Sequence, residues 1–222
     1  DVIISYDSSS LFNIDFIFDS KPSVTYSLII PDGVTTISND FYEDQSLSSV
    51  FIPNTVIDIC NRAFKNNSIT TLSFESGSSL LSIGQYAFYD NSISSYNSIS
   101  SLEIPNSVTT IGEYAFFKND ISSLTFQSDS SLLSIGGFAF RYSSISSLEI
   151  PNSVTTIGKY AFQYNSITTL TFPSDSSLLT IYDGAFLGNS INDLEIPNSV
   201  TTIGNNAFQS NNMSSLTFGS VS

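Results

Sequence analysis

The sequence predicts a mostly β, α/β-type solenoid: a right-handed coil with one parallel sheet on its concave face and short helical or 3-10 turns elsewhere. Three observations carry this. Residues 101–145 and 147–191 are near-duplicates, and a further copy begins at Leu194. Each copy holds two related halves of 22 and 24 residues, as from Leu102 to Leu124 and from Leu124 to Leu148. Within each half the apolar residues fall at the same places. A fixed period of this size marks an array of stacked units, each unable to bury its apolar face alone.

The common unit reads Ile-x-x-Leu-x-Ile/Phe, a loop, Val/Leu-x-x-Ile-Gly-x-x-Ala-Phe, then Asn. Ile121-x-x-Leu124-x-Phe126 ends in the alternation of a strand with one buried face. Stacking such strands in parallel gives rungs about 4.8 Å apart. Val108-Thr109-Thr110-Ile111 is too short for a helix and predicts an extended or turn-like return edge. Gly112, Gly136, Gly158 and Gly204 follow that Ile and call for positive φ or a close backbone approach. The Ala-Phe pairs end in Phe64, Phe88, Phe116, Phe140, Phe162, Phe186 and Phe208. They predict a helical or 3-10 turn with a buried column of rings. Asn67, Asn91, Asn119, Asn165, Asn189 and Asn211, with Ser143 once, predict a ladder that satisfies buried backbone groups.

These units resemble the BspA-like leucine-rich repeats from about Leu28 onward, because Ile-Pro, Val-Thr-x-Ile-Gly and Ala-Phe recur in fixed order. Cys60, Tyr182-Asp183-Gly184 and Phe41-Tyr42 depart from the pattern. The resemblance implies an extracellular or cell-surface binding solenoid, since members are typically surface or secreted proteins and several act as adhesins. It transfers no particular ligand.

Two regions are expected: a capping segment over 1–27, where Leu11–Phe18 alternates in part like a strand, and a solenoid over 28–222. The repeat halts at Ser222 without an atypical unit, which suggests a fragment whose open last edge could self-associate. No signal-peptide pattern stands at Asp1. A six-residue block is duplicated over 91–102; repeat slippage and a binding bulge both account for it.

Composition narrows the function. Six basic against 20 acidic residues give a net charge of −14, which argues against nucleic acid and against a polybasic membrane patch. No His and one Cys, Cys60, leave no His-based catalysis, no internal disulfide and no Cys-cluster metal site. No apolar run is long enough to span a membrane as a helix. No Gly-x-Ser-x-Gly, P-loop or dinucleotide pattern occurs. The expectation is a chain with no enzymatic activity and no cofactor. Asn66-Asn67-Ser68 and Asn212-Met213-Ser214 match glycan acceptors in a sequence rich in both residue types.

The candidate site is the outward side of the strand file. It presents Ser100, Ser101 and Glu103; Ser122, Ser123 and Thr125; Ser146, Ser147 and Glu149; Thr168, Thr169 and Thr171; Asn192, Asp193 and Glu195. Short hydroxyls donate and accept, and the Glu column selects positive charge. With uniform rungs neighbouring glutamates stand about 9.6 Å apart, too far to share one Ca²⁺. Two readings fit this face: a solvated surface tuned against aggregation, and a binding face for an extracellular protein or glycan. A structural spacer projecting another domain is the alternative from a different class. The Thr36, Ser82, Thr110, Ser134, Thr156, Thr180 and Thr202 rank raises ice binding as a minor one, although Leu133 and Leu179 interrupt the adjacent rank.

Overall fold

The computed structural model describes residues 2–4, 26–90 and 99–219. The duplicated block falls largely outside these residues, as do Asn91 and most of the expected cap.

In chain order the strands begin β1 (Val2–Ile4), β2 (Tyr26–Ile29), β3 (Thr36–Ile37), β4 (Leu47–Ile52), β5 (Asp58–Ile59) and β6 (Thr71–Phe74). They continue as β7 (Ser82–Ile83), β8 (Ser101–Ile104), β9 (Thr110–Ile111), β10 (Ser123–Phe126), β11 (Ser134–Ile135) and β12 (Ser147–Glu149). The last are β13 (Thr156–Ile157), β14 (Thr169–Thr171), β15 (Thr180–Ile181), β16 (Asp193–Ile196), β17 (Thr202–Ile203) and β18 (Ser215–Phe218). All pairings are parallel, so the chain winds as a solenoid with a longer leucine strand and a two-residue strand in each full coil. β1 joins β2 in the same parallel sense, at the start of the leucine file.

The return edge is the continuous sheet. Eight two-residue strands run unbroken from β3 to β17. Their isoleucines pair in register, Ile111 with Ile135 and Ile135 with Ile157, and these three are buried. Segments this short carry no readable alternation, so their pairing is set by the neighbouring coil rather than by local pattern.

The leucine file, expected as one sheet, is divided into four: β1-β2-β4-β6, β8-β10, β12-β14 and β16-β18. The breaks follow unit length. Strands whose leucines are 22 residues apart pair fully, as Leu102 with Leu124 and Leu148 with Leu170. The 24-residue steps, Leu124 to Leu148 and Leu170 to Leu194, have no ladder, and neither does the 30-residue step from Leu72 to Leu102. The two extra residues lie in the loop before the return strand, and β11 still pairs in register with β9 and β13, so only the leucine strands lack the ladder.

The coil-closing segments are turns, and no helix occurs among the described residues. Two residues in each have left-handed φ: Tyr114 at 56° and Lys118 at 54°, Tyr160 and Tyr164 both at 56°. Left-handed backbone costs a side-chain-bearing residue roughly 1–2 kcal/mol. The compensation lies between coils. Tyr114, Phe116 and Lys118 donate their N–H groups to the carbonyls of Gly137, Ala139 and Arg141 at 2.9, 2.9 and 3.0 Å. Tyr160, Phe162 and Tyr164 repeat this to Asp183, Ala185 and Leu187. A helix would spend those groups within its own coil. The alternating turn instead aims them along the solenoid axis, forming a third ladder.

The ring column is present as expected. Phe64, Phe88, Phe116, Phe140, Phe162 and Phe186 are fully buried. Successive centroids from Phe64 onward lie 5.0, 5.2, 5.3, 5.4 and 5.3 Å apart, nearly parallel. Tyr42 and Phe208 continue the stack at its two ends. The recurring glycines resolve to close approach: Gly84, Gly112, Gly136, Gly158 and Gly204 are absent from the positive-φ residues, and a Cβ on Gly136 would lie 2.5 Å from the Gly112 carbonyl carbon.

The asparagine ladder also holds. Asn165 Nδ2 donates to the Phe140 and Phe162 carbonyls at 2.9 and 3.1 Å, and its Oδ1 accepts the Ile145 N–H at 3.1 Å. Asn189 repeats the set on Phe162, Phe186 and Ile167. Ser143, shorter, reaches only the Asn119 carbonyl. Asn165→Ala strands the Ile145 amide and the Phe140 carbonyl, while the Phe162 carbonyl keeps its bond from Asn189, and chemical denaturation should read a loss of about 2 kcal/mol. A change below about 0.5 kcal/mol would show that water replaces the amide.

Candidate functional site

All fifteen outward residues expected on the strand face are exposed. Within ladder pairs the structure brings them together as the pattern implies. Ser101 faces Ser123 and Glu103 faces Thr125; Ser147 faces Thr169 and Glu149 faces Thr171. Asp193 and Glu195 face Ser215 and Thr217 on β18. Across the 24-residue steps the strands are not laddered, so the Glu column runs as pairs of bonded rungs separated by seams.

The hydroxyls nearest the strand starts are partly used inside the fold. Ser122 Oγ donates to the Ser100 carbonyl at 3.1 Å, and Thr168 Oγ1 to the Ser146 carbonyl at 3.2 Å. Their own N–H groups bond the same carbonyls at 2.9 Å. The three ion pairs among the described residues join Arg62 to Asp40, Lys65 to Glu43 and Lys159 to Asp183, so the acids of this face enter none of them. Glu103 takes one weak hydrogen bond from Gln127 Nε2 at 3.4 Å.

A groove of about 690 Å³ opens where β10 and β12 part. Ser123, Thr125, Ser147 and Glu149 of the expected face border it. The loops add Gln127, Asp129, Asn152 and Asp175, which the outward-position pattern did not select. Gln127, Asp129 and Asp175 lie in the longer loops of the 24-residue halves, so unit length marked them, whereas Asn152 lies in a short loop.

On another flank the left-handed turn residues carry a second file of rings. Tyr86, Tyr114 and Phe138 stack at 4.8 and 4.5 Å, and Tyr160 continues at 5.2 Å with a tilt. The Arg141 guanidinium lies 4.6 Å from the Tyr142 ring centre and 5.5 Å from that of Phe138. Such cation–π contacts brace the turns. Burial, then the neighbouring Tyr86 and the Glu113 carboxylate, push the Tyr114 hydroxyl pKa up. Tyr160 and Tyr164 lie against Gly184 and Gly188, whose missing side chains leave room for the rings.

Among the described residues no group of His, Cys, Asp and Glu could hold a metal ion, and no helix is long and apolar enough to cross a membrane. Burial, followed by the Asp58 charge, raises the Cys60 thiol pKa. In the Thr rank, Asp58 stands between Thr36 and Ser82. Leu133 and Leu179 beside that rank are exposed, so the array carries carboxylate and alkyl interruptions that an ordered water template would have to accommodate.

A family model described as the BspA type leucine-rich repeat region matches residues 15–129 and 91–215, with six copies. Solved structures similar to the chain include a vaccine antigen and a cell surface protein. The pneumococcal vaccine antigen PcpA is 25% identical with a TM-score of 0.60, over 84% of this chain and 44% of that one. A leucine-rich cell surface protein of Faecalibacterium prausnitzii A2-165 is 24% identical with a TM-score of 0.55, over 88% of this chain and 49% of that one. The chain thus spans less than half the length of either. No curated protein sequence matches it. With its repeat matched from residue 15 to 215 and its parallel coils stacked on a phenylalanine column, the chain belongs to the BspA-type leucine-rich-repeat family.

Proposed function

We propose that the chain is the recognition part of an adhesin-like surface or secreted protein, which binds an extracellular protein or glycan through its leucine-strand face without catalysis. The observation that carries this is the composition of the face. Its outward positions are short hydroxyls and carboxylates, all exposed, with the carboxylates outside every ion pair among the described residues. Such a surface offers many hydrogen-bonding groups and one sign of charge, which favours specificity and fast encounter with a cationic or hydroxyl-rich partner. The likeness to PcpA and to a cell surface protein supports an extracellular setting.

The test is binding of the intact chain to a panel of extracellular-matrix proteins and glycans, at low and physiological salt. A Glu103→Lys, Glu149→Lys, Glu195→Lys variant runs beside it. Saturable binding that the variant loses at least tenfold is expected. Binding retained in the variant moves recognition off this face, and no binding by the intact chain favours a spacer that projects another domain.

A further inference from the structure

We propose that the seam between β10 and β12 is a docking groove for an extended, lysine- or arginine-bearing segment of a partner protein. This rests on the strand-face reading above and gives it a place and a partner class.

The seam differs physically from the rungs beside it. At a 22-residue step the Thr168 N–H bonds the Ser146 carbonyl and the two strands zip. At the 24-residue step the coils remain joined before the strands begin, by the Ser144 N–H on the Ile121 carbonyl at 2.9 Å, and then separate without a ladder. The resulting opening has the size of a peptide or ligand site, not of a domain interface.

Its lining is of two kinds. Phe126, Pro151 and Pro173, each half-buried, supply apolar surface. Asp129, Glu149 and Asp175 supply three exposed carboxylates, and no Lys or Arg lines the groove. None of the three belongs to an ion pair among the described residues, although Asp175 accepts a hydrogen bond from Asn152 Nδ2 at 2.7 Å. A lysine or arginine matches both kinds, with its methylene stem on the rings and its charged head among the carboxylates. A bare metal ion does not match, because the carboxylates do not converge into a ligand set. An anionic ligand would meet three like charges within a chain of net charge −14. The same net charge draws a cationic segment from a distance and raises its encounter rate. Ser123, Ser147 and Thr125 at the rim can bond the backbone of an extended chain.

The experiment uses the intact chain and three fluorescent octapeptides of alternating sequence, Lys-Ser, Glu-Ser and Gln-Ser, read by anisotropy. One variant neutralises the groove: Asp129→Asn, Glu149→Gln, Asp175→Asn. A second, Ser147→Tyr, fills it without changing charge. A third removes the same number of charges elsewhere: Asp32→Asn, Asp44→Asn, Glu113→Gln. All seven substituted side chains are exposed, and thermal melts confirm folding. Expected is saturable binding of the Lys-Ser peptide alone, weakened at least tenfold by the first two variants and less than threefold by the third. Equal loss in both charge variants with none from Ser147→Tyr overturns the groove but leaves the strand face in place. Binding of none of the peptides overturns the basic partner class, and the matrix and glycan panel then decides the face by itself. Glycan binding that Ser147→Tyr blocks, without peptide binding, likewise overturns the partner class.

Discussion

Phe162→Ala should lower the unfolding free energy by about 3–5 kcal/mol, the cost of emptying a fully buried aromatic site. The ring is sandwiched between Phe140 at 5.4 Å and Phe186 at 5.3 Å, both nearly parallel to it. Removing it leaves two exposed ring faces inside the core. Collapse is blocked because the backbone on both sides is held by ladder bonds, from Phe140 N–H to the Ala161 carbonyl and from Phe162 N–H to the Ala185 carbonyl, each 2.8 Å. Phe162→Leu should restore about half of the loss by refilling part of the volume. A denaturant melt showing less than about 1 kcal/mol for the alanine variant would contradict a continuous spine.

Gly136→Ala is the second large effect, expected at about 3 kcal/mol, the upper end of the usual overpacking range. The added methyl would sit 2.5 Å from the Gly112 carbonyl carbon and 2.6 Å from the Glu113 nitrogen. Both atoms are backbone, so no side-chain rotation relieves the clash. Two contrasts isolate the cause. Gly137, one residue on, would meet the Lys159 carbonyl oxygen at 3.2 Å as its nearest atom, and its alanine variant should lose about 1 kcal/mol or less. Gly77 has open space but a φ of 71°, so Gly77→Ala reports the conformational cost alone, about 1 kcal/mol. Equal melts for Gly136→Ala and Gly137→Ala would mean that the coils can slide apart, and that close approach is not what the glycine serves.

The buried half of this molecule was readable because burial repeats. Phe116, Leu124, Ile135 and Asn165 each recur in successive units, and each has one environment that its chemistry can satisfy. The turns were read as helical because Tyr and Phe have little intrinsic preference for left-handed backbone. Tyr114 and Phe138 adopt it only because the next coil accepts their N–H groups, and that preference belongs to the stack. The seams were visible as a length difference, but not as a break in pairing. The extra residues lie in a loop whose return strand stays in register, so their number alone does not say whether the next leucine strands zip. The outward face was legible as exposed, and Ser101, Thr125 and Glu149 are where the alternation placed them. Gln127, Asp129 and Asp175 were not, because although Asp129 and Asp175 recur in the repeat, a loop has no strand alternation to say which face its side chains border.

The interrupted leucine file gives the solenoid two unlike sides. The two-residue strands and the phenylalanine column run without a gap, so that side has a fixed length. Beyond β6 the leucine strands are laddered only in blocks of two rungs, and each 24-residue seam is held by a single bond just before the strands, Ser144 N–H to the Ile121 carbonyl and Ser190 N–H to the Ile167 carbonyl. A beam with one inextensible edge and one jointed edge bends in a single plane. Small adjustments at successive seams add along the axis, so the curvature of the strand face is a softer coordinate than the length of the spine behind it.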